Sequence, residues 1–394
     1  MSTRFISPIS DAELVRRWNA VRAIMAREDI DALVMQNSND WLGGYVRWFT
    51  GAPANNAYPR AVVFPREGDM SVVEQGDMGA VTRPAADEPS TRGVDRILHT
   101  PSYSAVGFTN SYDARLVADE LRRLGARRVG WVNPGGAYFG FGKELERTAA
   151  NTSFIDATEW VDGLKAIKSD EEWALIRRTT ALQDEVMTSV AGFIRPGLHD
   201  FEIAAFAQYE AQKRGAEQGI FISSSSPPGK AAVFRPRHMQ GRKVEAGDAF
   251  ALLVETNGPG GYYTELGRTF VLGKANQALK ASVGHARDAQ VNTLRNLKPG
   301  IAAAEVLTRH NAYMVKQGLP PEKRLYSHGQ GYDMVERPLI RDDETMRIEE
   351  GMSIVVHPGY VNDEVFALIC DNYQIGADGP GECLHRTPKE IFEL

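Results

Sequence analysis

The chain has 394 residues, of which 43% are hydrophobic and 24% are charged, values that are ordinary for a soluble globular protein. Its formal net charge of −6 gives no support to a nucleic-acid or membrane-surface partner. No run of about eighteen apolar residues is present, and the opening MSTRFISPIS lacks a signal-peptide pattern. With only two cysteines, Cys370 and Cys383, the sequence indicates a reducing compartment, and we expect a cytoplasmic protein.

Alternating helices and strands are predicted for the first part of the chain. Residues 11–29 have helical spacing of apolar side chains and lead directly into IDALVMQ, a short buried-strand pattern. The segment PRAVVFPREGDMSVVEQG is typical of a β-hairpin, and YDARLVADELRRLG followed by RRVGWVNP repeats the helix-to-strand order. These elements indicate an α/β domain, which we place at residues 1–160.

A second domain is predicted for residues 161–394. Ser169, followed by three acidic residues, is a helix start whose first turn suits the helix dipole. The segments FIRPGLHDFEIAAFAQYEAQKRG and NLKPGIAAAEVLTRHNAYMVKQG each place Pro-Gly ahead of a helix that ends at glycine, and they start about 100 residues apart. This duplication predicts two α+β halves related by a pseudo-twofold axis, with the functional site between them.

The stretch ETNGPGGYYTELGRTF, residues 255–270, contains the first candidate site residues. Glu255 and Glu265 lie on either side of a glycine-rich turn that allows close approach to a ligand, and we expect Tyr262 to contact substrate. Paired carboxylates can anchor a cationic group, divide acid and base duties, or hold a metal. Arg268 could bind a substrate carboxylate through its planar fork, or it could brace the sheet, and both interpretations stay open.

Three histidines and one further glutamate are the other candidates. His328 in SHGQGYDMVERP is the expected proton carrier, because only histidine changes charge near neutral pH without a large shift. Glu336 follows it in the same segment, and His357 lies in VVHPGY. His238 belongs to a basic loop that would attract anions to the mouth of a site or would simply be a solvated surface.

Together these landmarks resemble the creatinase, aminopeptidase P and prolidase family (M24), whose catalytic domain has the pita-bread fold. The resemblance covers nearly the whole chain and rests on IKSDEEWALIR, the two Pro-Gly helix starts, GGYYTELGRTF, SHGQGYDMVERP, EEGMSIVVHPGY and CLHRTPKEIFEL. It implies a creatinase-like α/β domain, then a pita-bread domain with an internal duplication, and a homodimer. It also implies that Arg60, in NNAYPRAVVF, reaches toward a neighbouring subunit's site.

Peptidases of this family bind two divalent metals through Asp, Asp, His, Glu and Glu. The resemblance implies that the corresponding positions here are, in order, Leu253 or Val254, Glu265, His328, His357 and Cys370. Two ions need bridging carboxylates to offset their repulsion, and an imidazole cannot bridge them in that way. We therefore expect no two-metal centre. A metal-free site, as in creatinase, and a single ion on Glu265, His328 and His357 are both left open.

The acid that creatinase carries just before the arginine is Gly267 here, so its substrate clamp does not carry over unchanged. We expect a creatinase-like hydrolase that cleaves a C–N bond of a small polar substrate by side-chain acid–base catalysis, without a cofactor. His328 would carry the proton, Glu255, Glu265 and Glu336 would orient the substrate, and His357 would complete the pocket. The alternatives are a metal-dependent peptidase with one ion, a lyase, and a catalytically inactive module that binds a partner.

Overall fold

A computed structural model describes residues 9–37, 44–53, 58–85 and 87–394. The chain divides into two compact units, Met1–Lys165 and Ala166–Leu394, and the boundary predicted at residue 160 lies inside the helix Thr158–Ala166. The first eight residues, over which the sequence predicts no signal peptide, lie outside the described residues. None of the helices in the described part of the chain has the length and apolarity that a membrane span requires.

The first unit is the α/β domain that the alternating pattern predicts. Its helices are α1 (Asp11–Arg27), α2 (Gly44–Thr50), α3 (Asn110–Leu124), α4 (Phe139–Thr148) and α5 (Thr158–Ala166). Its strands are β1 (Ala32–Asn37), β2 (Arg60–Pro65), β3 (Met70–Gln75), β4 (Val81–Thr82), β5 (Val94–Thr100), β6 (Arg128–Trp131) and β7 (Ser153–Asp156). They form a sheet in the order β4-β5-β3-β2-β1-β6-β7. The antiparallel pairing of β2 with β3 confirms the predicted hairpin.

The second unit has two successive helix pairs, each followed by strands, as the duplication predicts. Its helices are α6 (Asp170–Phe193), α7 (Asp200–Lys213), α8 (Gln277–Asn296) and α9 (Ala303–Lys316). Its strands are β8 (Gly219–Ser226), β9 (Ala249–Asn257), β10 (Tyr263–Val271), β11 (Ser327–Gly329), β12 (Glu336–Leu339), β13 (Ser353–Val356), β14 (Gly359–Val361), β15 (Phe366–Leu368), β16 (Asp371–Gly376), β17 (Gly379–Cys383) and β18 (Phe392–Glu393). One sheet has the order β18-β10-β9-β8, a second has the order β12-β11-β13-β16-β17, and β14 pairs with β15.

Helix α6 begins at Ser169, as predicted. The Glu172 backbone N–H donates to Ser169 Oγ at 3.3 Å, and the Ser169 N–H donates to the Glu172 carboxylate at 2.7 Å, which forms a capping box. The Tyr262 hydroxyl also donates to Glu172, at 2.7 Å. The helix start is therefore tied to the beginning of β10.

The two larger sheets of the second unit meet at Gly267 and Cys370. The Gly267 N–H donates to the Cys370 carbonyl oxygen at 3.2 Å, and the Cys370 N–H donates back to Gly267 at 3.4 Å. Because side chains alternate along a strand, each sheet has two distinct faces. On β9, Leu252 and Val254 pack toward helices α6 and α7, whereas Glu255 lies on the other face. That second face is the one on which the polar side chains converge.

Helix α9 contributes a buried histidine, His310, to the core of the second half. Its Nδ1 lies 2.9 Å from Thr293 Oγ1, and its ring stacks on Tyr326 with centroids 4.1 Å apart. Burial lowers the pKa of His310 to about 4, although the charge of Glu322 opposes this shift. The imidazole is therefore neutral in the folded protein at pH 6.

This burial makes stability depend on pH. His310 takes up a proton near pH 6.5 when unfolded but only near pH 4 when folded, so its contribution is complete above 6.5 and is lost as the pH falls. We expect it to lower the free energy of unfolding by about 3 kcal/mol between pH 7 and pH 4. His310→Gln should remove this component. Urea denaturation at a series of pH values measures this component. If the free energy of unfolding changes equally with pH in wild type and His310→Gln, the assignment to His310 is refuted.

Candidate active site

Glu255 of β9 and Glu265 of β10 lie opposite each other on neighbouring strands of the sheet β18-β10-β9-β8. They occupy directly paired positions of the antiparallel ladder, and their side chains are buried, with 7% and 3% exposure. In such pairs the Cβ atoms lie about 4.5–5.5 Å apart. Gly260 and Gly261 have φ values of 104° and 89°, and this left-handed backbone closes the turn that joins the strands. The two carboxylates therefore lie side by side.

His328 of β11 and His357, directly after β13, add two imidazoles from the second sheet. His328 Nε2 lies 3.9 Å from Glu265 Oε2, and the two rings have centroids 5.3 Å apart. His328 Nδ1 lies 2.9 Å from the Gly329 carbonyl oxygen. Because a carbonyl oxygen can only accept, Nδ1 carries the hydrogen and Nε2 presents a lone pair in the neutral ring. The His357 Nε2 is buried and has no hydrogen-bond partner among the residues that the structure describes.

Two amide side chains fix the orientation of Glu255. The Glu265 N–H donates to Asn372 Oδ1 at 2.8 Å, so the Asn372 amide nitrogen points the other way and donates to Gln330 Oε1 at 2.6 Å. Gln330 in turn donates to Glu255 Oε1 at 3.0 Å. The orientation of the Asn372 amide determines that of the Gln330 amide. Glu255 is therefore held as an acceptor by a series of hydrogen bonds that spans both sheets.

The sequence motifs do not identify either amide as a site residue. Gln330 lies inside the motif SHGQGYDMVERP, and this position was the one available signal for it. Asn372 is marked by no pattern, because its role depends on the neighbouring strands that the fold brings to it.

Burial and mutual repulsion govern the protonation of the site. Burial raises the pKa of Glu265 to about 7 and that of Glu255 well above its ordinary value, and repulsion from Glu265 raises Glu255 further. Two neighbouring buried carboxylates that repel each other do not both ionise near neutral pH. Burial lowers the pKa of His328 to about 4 and that of His357 well below 6.5, so both rings are neutral. The group that titrates near neutral pH is thus the carboxylate pair, and not His328 as the sequence suggests.

Glu336 of β12 forms a buried ion pair with Lys168. The lysine Nζ lies 2.8 Å from Glu336 Oε2, and the Asp333 N–H donates to the other oxygen at 3.2 Å. Lys168 belongs to the segment IKSDEEWALIR, immediately before the cap of α6. No sequence pattern indicates its pairing with Glu336. Glu336 is therefore neutralised by a base of its own.

Arg268 lies on the opposite face of β10 from Glu265, because the two residues are three apart along the strand. Its guanidinium lies 2.7 Å from the Asp371 carboxylate and also donates to the carbonyl oxygens of Cys370, Thr387 and Pro388. Burial alone would raise the pKa of Asp371, but the Arg268 charge holds it well below its usual range. These contacts are those of the sheet-bracing arginine that the sequence left as one interpretation.

The three other residues that the sequence predicts to bind substrate have contacts unlike those of the carboxylate–imidazole cluster. The hydroxyl of Tyr262 is engaged by the cap of helix α6. His238 is exposed in a short 3-10 turn. Arg60 begins β2 of the first unit, and its guanidinium lies 2.5 Å from the Glu74 carboxylate. Their substrate-binding roles stay predictions.

Strand pairing places Leu253 and Val254, the two candidates for the first acidic position of the family, on opposite faces of β9. Leu253 lies on the same face as Glu255 and packs with Val355, Leu368 and Cys370. Val254 faces helices α6 and α7 instead. Of these two candidates, Leu253 is the one on the site face.

A cavity of about 920 Å³ lies elsewhere, beside helix α6 and strands β16 and β17. Neither glutamate of the pair lines it, nor does His328 or His357. Among its charged side chains, Arg214 pairs with Glu185, and Asp184 accepts the Thr387 N–H at 2.9 Å. Convergent acid–base groups therefore mark the carboxylate–imidazole cluster as the candidate active site.

Known proteins share this architecture. The family Peptidase_M24, metallopeptidase family M24, matches residues 174–377. An uncharacterized hydrolase/peptidase of Sinorhizobium fredii, y4tM, is 26% identical over 395 residues. The match covers 97% of this chain and 97% of that protein. An Xaa-Pro dipeptidase of Pyrococcus horikoshii is 24% identical over 257 residues, which cover 64% of this chain and 72% of that protein.

A solved structure gives the same picture of the fold. The X-Pro aminopeptidase of Thermotoga maritima aligns with a TM-score of 0.77 at 17% identity, over 96% of this chain and 99% of that chain. The family match covers more than half of the 394 residues. The chain therefore belongs to metallopeptidase family M24 and is a hydrolase built on the pita-bread fold of that family.

Proposed function

We propose that this hydrolase cleaves a C–N bond of a small polar substrate by acid–base catalysis with its own side chains. One observation carries the proposal, namely that a carboxylate oxygen of Glu265 and a ring nitrogen each of His328 and His357 lie within 4.8 Å of one another. Glu255, directly paired with Glu265, adds a second carboxylate. A buried base beside a buried acid is what proton transfer to and from a scissile bond requires.

The two environments suggest how the roles divide. His328 Nε2 has the lone pair that takes a proton from water, while the water oxygen bonds to the carbon under attack. Glu265, when it holds the proton of the pair, gives it to the leaving nitrogen as the C–N bond breaks. His328 then returns its proton to Glu265, whose Oε2 lies 3.9 Å away. Water is consumed, and an acid and an amine are released.

Two further side chains orient the substrate. Glu255 is fixed by Gln330 as a hydrogen-bond acceptor, so it suits an N–H group of the substrate. The free Nε2 of His357 completes the polar lining. Glu336 keeps its carboxylate close to Gly331 in the same motif, but its charge is balanced by Lys168.

The residues present do not fit the two-ion centre of the family. The resemblance puts the first Asp at Leu253 or Val254 and the last Glu at Cys370, and Leu253 and Cys370 both pack against Gly267 and Leu368. A Cβ atom added at Gly267 would lie 3.0 Å from a carbon of each of the other three side chains. These positions therefore offer no carboxylate oxygen to a second ion.

A single ion is the second candidate, and one observation favours it. The buried His357 Nε2 has no hydrogen-bond partner and lies near His328 and Glu265. Two imidazoles and a carboxylate are a sufficient set for one divalent ion. When bound there, an ion would act as a Lewis acid and lower the pKa of a water molecule.

Removal of the proposed base tests the acid–base mechanism. His328→Ala should lower kcat by about 10²–10⁴-fold, because proton transfer by a positioned side chain contributes that much. The measurement is amine release from a panel of small amides, ureas, guanidino acids and Xaa-Pro dipeptides. His285→Ala, at an exposed position of helix α8, is the control and should keep full activity. Wild-type rates in His328→Ala would remove His328 from the mechanism.

Chelation separates the two candidates. After dialysis against a chelator and metal analysis, the acid–base mechanism predicts full activity in protein that holds less than one ion per ten chains. Activity that is lost on dialysis, returns with about one equivalent of Zn²⁺ or Mn²⁺, and is not restored in His357→Ala would establish the single-ion enzyme instead.

Gly267 tests the packing that excludes a second ion. Gly267→Ala should destabilise the protein by about 1–3 kcal/mol, because three side chains must move. Gly284→Ala in helix α8 is the matched control; a Cβ there meets nothing within 4 Å, and we expect a gain of up to about 1 kcal/mol. Urea denaturation measures both, and equal stability of Gly267→Ala and wild type would show that this space is open.

A further inference from the structure

The loop that follows strand β8 carries a concentration of positive charge. From residue 218 to residue 244 the sequence has no aspartate or glutamate, although acidic residues outnumber basic ones in the whole chain. The basic side chains of this stretch are Lys230, Arg235, Arg237, Arg242 and Lys243. A local charge opposite in sign to the net charge of −6 attracts anions to this part of the surface.

A cavity of about 610 Å³, which we call the β8 cavity, lies at the carboxyl-terminal end of strand β8. Its walls are the basic loop and the turn between β14 and β15, and these are joined where the Ala231 N–H donates to the Asp363 carbonyl oxygen at 3.3 Å. One acidic side chain lines the cavity, that of Asp363, and the basic side chains that line it are those of Lys230, Arg235 and Arg242.

The three bases differ in whether a carboxylate of the protein balances them. Arg242 donates to both oxygens of Asp248, so its charge is balanced. Lys230 and Arg235 are exposed, and neither forms an ion pair with any residue that the structure describes. These two positive charges are set against the single negative charge of Asp363. The β8 cavity therefore keeps one positive charge in excess.

The backbone of Arg235 is fixed against the edge of β8. Its N–H donates to the Ser223 carbonyl oxygen at 3.4 Å. The Gln240 amide donates to the carbonyl oxygens of both Ser223 and Arg235, at 3.0 Å in each case. A basic residue whose backbone is already held by the protein loses less freedom when its side chain binds a ligand.

The β8 cavity is separate from the carboxylate–imidazole cluster. Arg235 pairs with Ser223, and residues paired across an antiparallel bridge share one face of the sheet. Ser223 lies on the face opposite to Ile220, because the two are three residues apart along β8, and Ile220 is the strand partner of Glu255. No residue of the cluster lines the cavity. A ligand held by Arg235 therefore binds outside the candidate active site.

Apolar side chains lie beside the two unbalanced bases. Val233 and Val361 both line the cavity, and they are 43% and 55% exposed. The aliphatic part of an organic ligand would remove this apolar surface from water, which an inorganic anion would not do. The volume of the cavity also falls in the range of small-molecule clefts, about 300–1,000 Å³. These features favour an organic anion.

We propose that the β8 cavity binds a small organic monocarboxylate, whose carboxylate pairs with Lys230 and Arg235 and whose aliphatic part lies against two exposed valines, Val233 and Val361. The planar guanidinium matches the two oxygens of a carboxylate, and the ammonium adds a point charge. One negative charge balances the positive charge in excess. A doubly charged phosphate monoester exceeds that balance and is repelled by Asp363. The site does not depend on the proposed hydrolysis.

Titration with simple probes tests the charge requirement. In ligand-observed NMR titrations of the full chain, hexanoate should bind about 3- to 10-fold more tightly than neutral hexanamide, because each exposed ion pair contributes modestly. Raising NaCl from about 20 mM to about 500 mM should remove most of this difference, since salt screens exposed charges. Equal affinities at low salt would overturn the proposal. Hexyl phosphate that binds more tightly than hexanoate would overturn the assignment to a monocarboxylate.

Substitution locates the bound carboxylate. The double variant Lys230→Gln/Arg235→Gln should bind hexanoate no better than hexanamide, whereas Arg235→Lys, which keeps the charge, should retain most of the preference. Arg178→Gln is the matched control, because Arg178 is exposed on helix α6 and does not line the cavity. Melting temperatures equal to that of wild type show that the variants fold. A wild-type preference for hexanoate in the double variant would refute the proposal.

A variant of the candidate active site separates the two sites. His328→Ala should keep the preference for hexanoate over hexanamide, because His328 does not line the β8 cavity. Loss of the preference in His328→Ala would place the bound carboxylate in the active site and would overturn the assignment to the β8 cavity.

Discussion

The geometry of the site depends on the junction between the two large sheets of the second unit. Backbone hydrogen bonds in both directions join Gly267 to Cys370, and the next residues along each strand, Arg268 and Asp371, form a buried ion pair. Removal of either charge would leave the other buried and unpaired, so the pair resists any slip of one strand past the other. This junction therefore sets the separation between the carboxylates of one sheet and the imidazoles of the other.

The same junction separates an apolar part of the site face from a polar part. Around Gly267 the packing is closed by Leu253, Leu368 and Cys370. Two residues away along β10, Glu265 meets His328. The strand positions are fixed by the fold while the side chains on them can change, so the family fold does not by itself determine the chemistry of one member.

Two sets of buried carboxylates in this unit differ in their electrostatic surroundings. Asp371 and Glu336 have a basic partner in contact, and each holds separate segments of the chain together. Glu255 and Glu265 face each other, and burial and repulsion raise their pKa values. Such an arrangement costs folding free energy and is typical of functional sites. There a ligand or a transferred proton supplies the positive charge that the protein itself does not place beside the carboxylates.

The sequence by itself determined the order of the elements, the start of helix α6 at Ser169, the hairpin of β2 and β3 and the duplicated halves, because periodicity and capping are local properties. Motif spacing also selected four residues that the fold brings together, Glu255, Glu265, His328 and His357. Only the tertiary structure decided that Arg268 braces the sheet, that Lys168 neutralises Glu336, and that Gln330 and Asn372 orient the pair. These contacts join residues 42 to 168 positions apart, and they depend on which face of a strand each side chain occupies. The tertiary structure also decides the protonation of the site residues, because the burial that shifts their pKa values exists only once the sheets have packed.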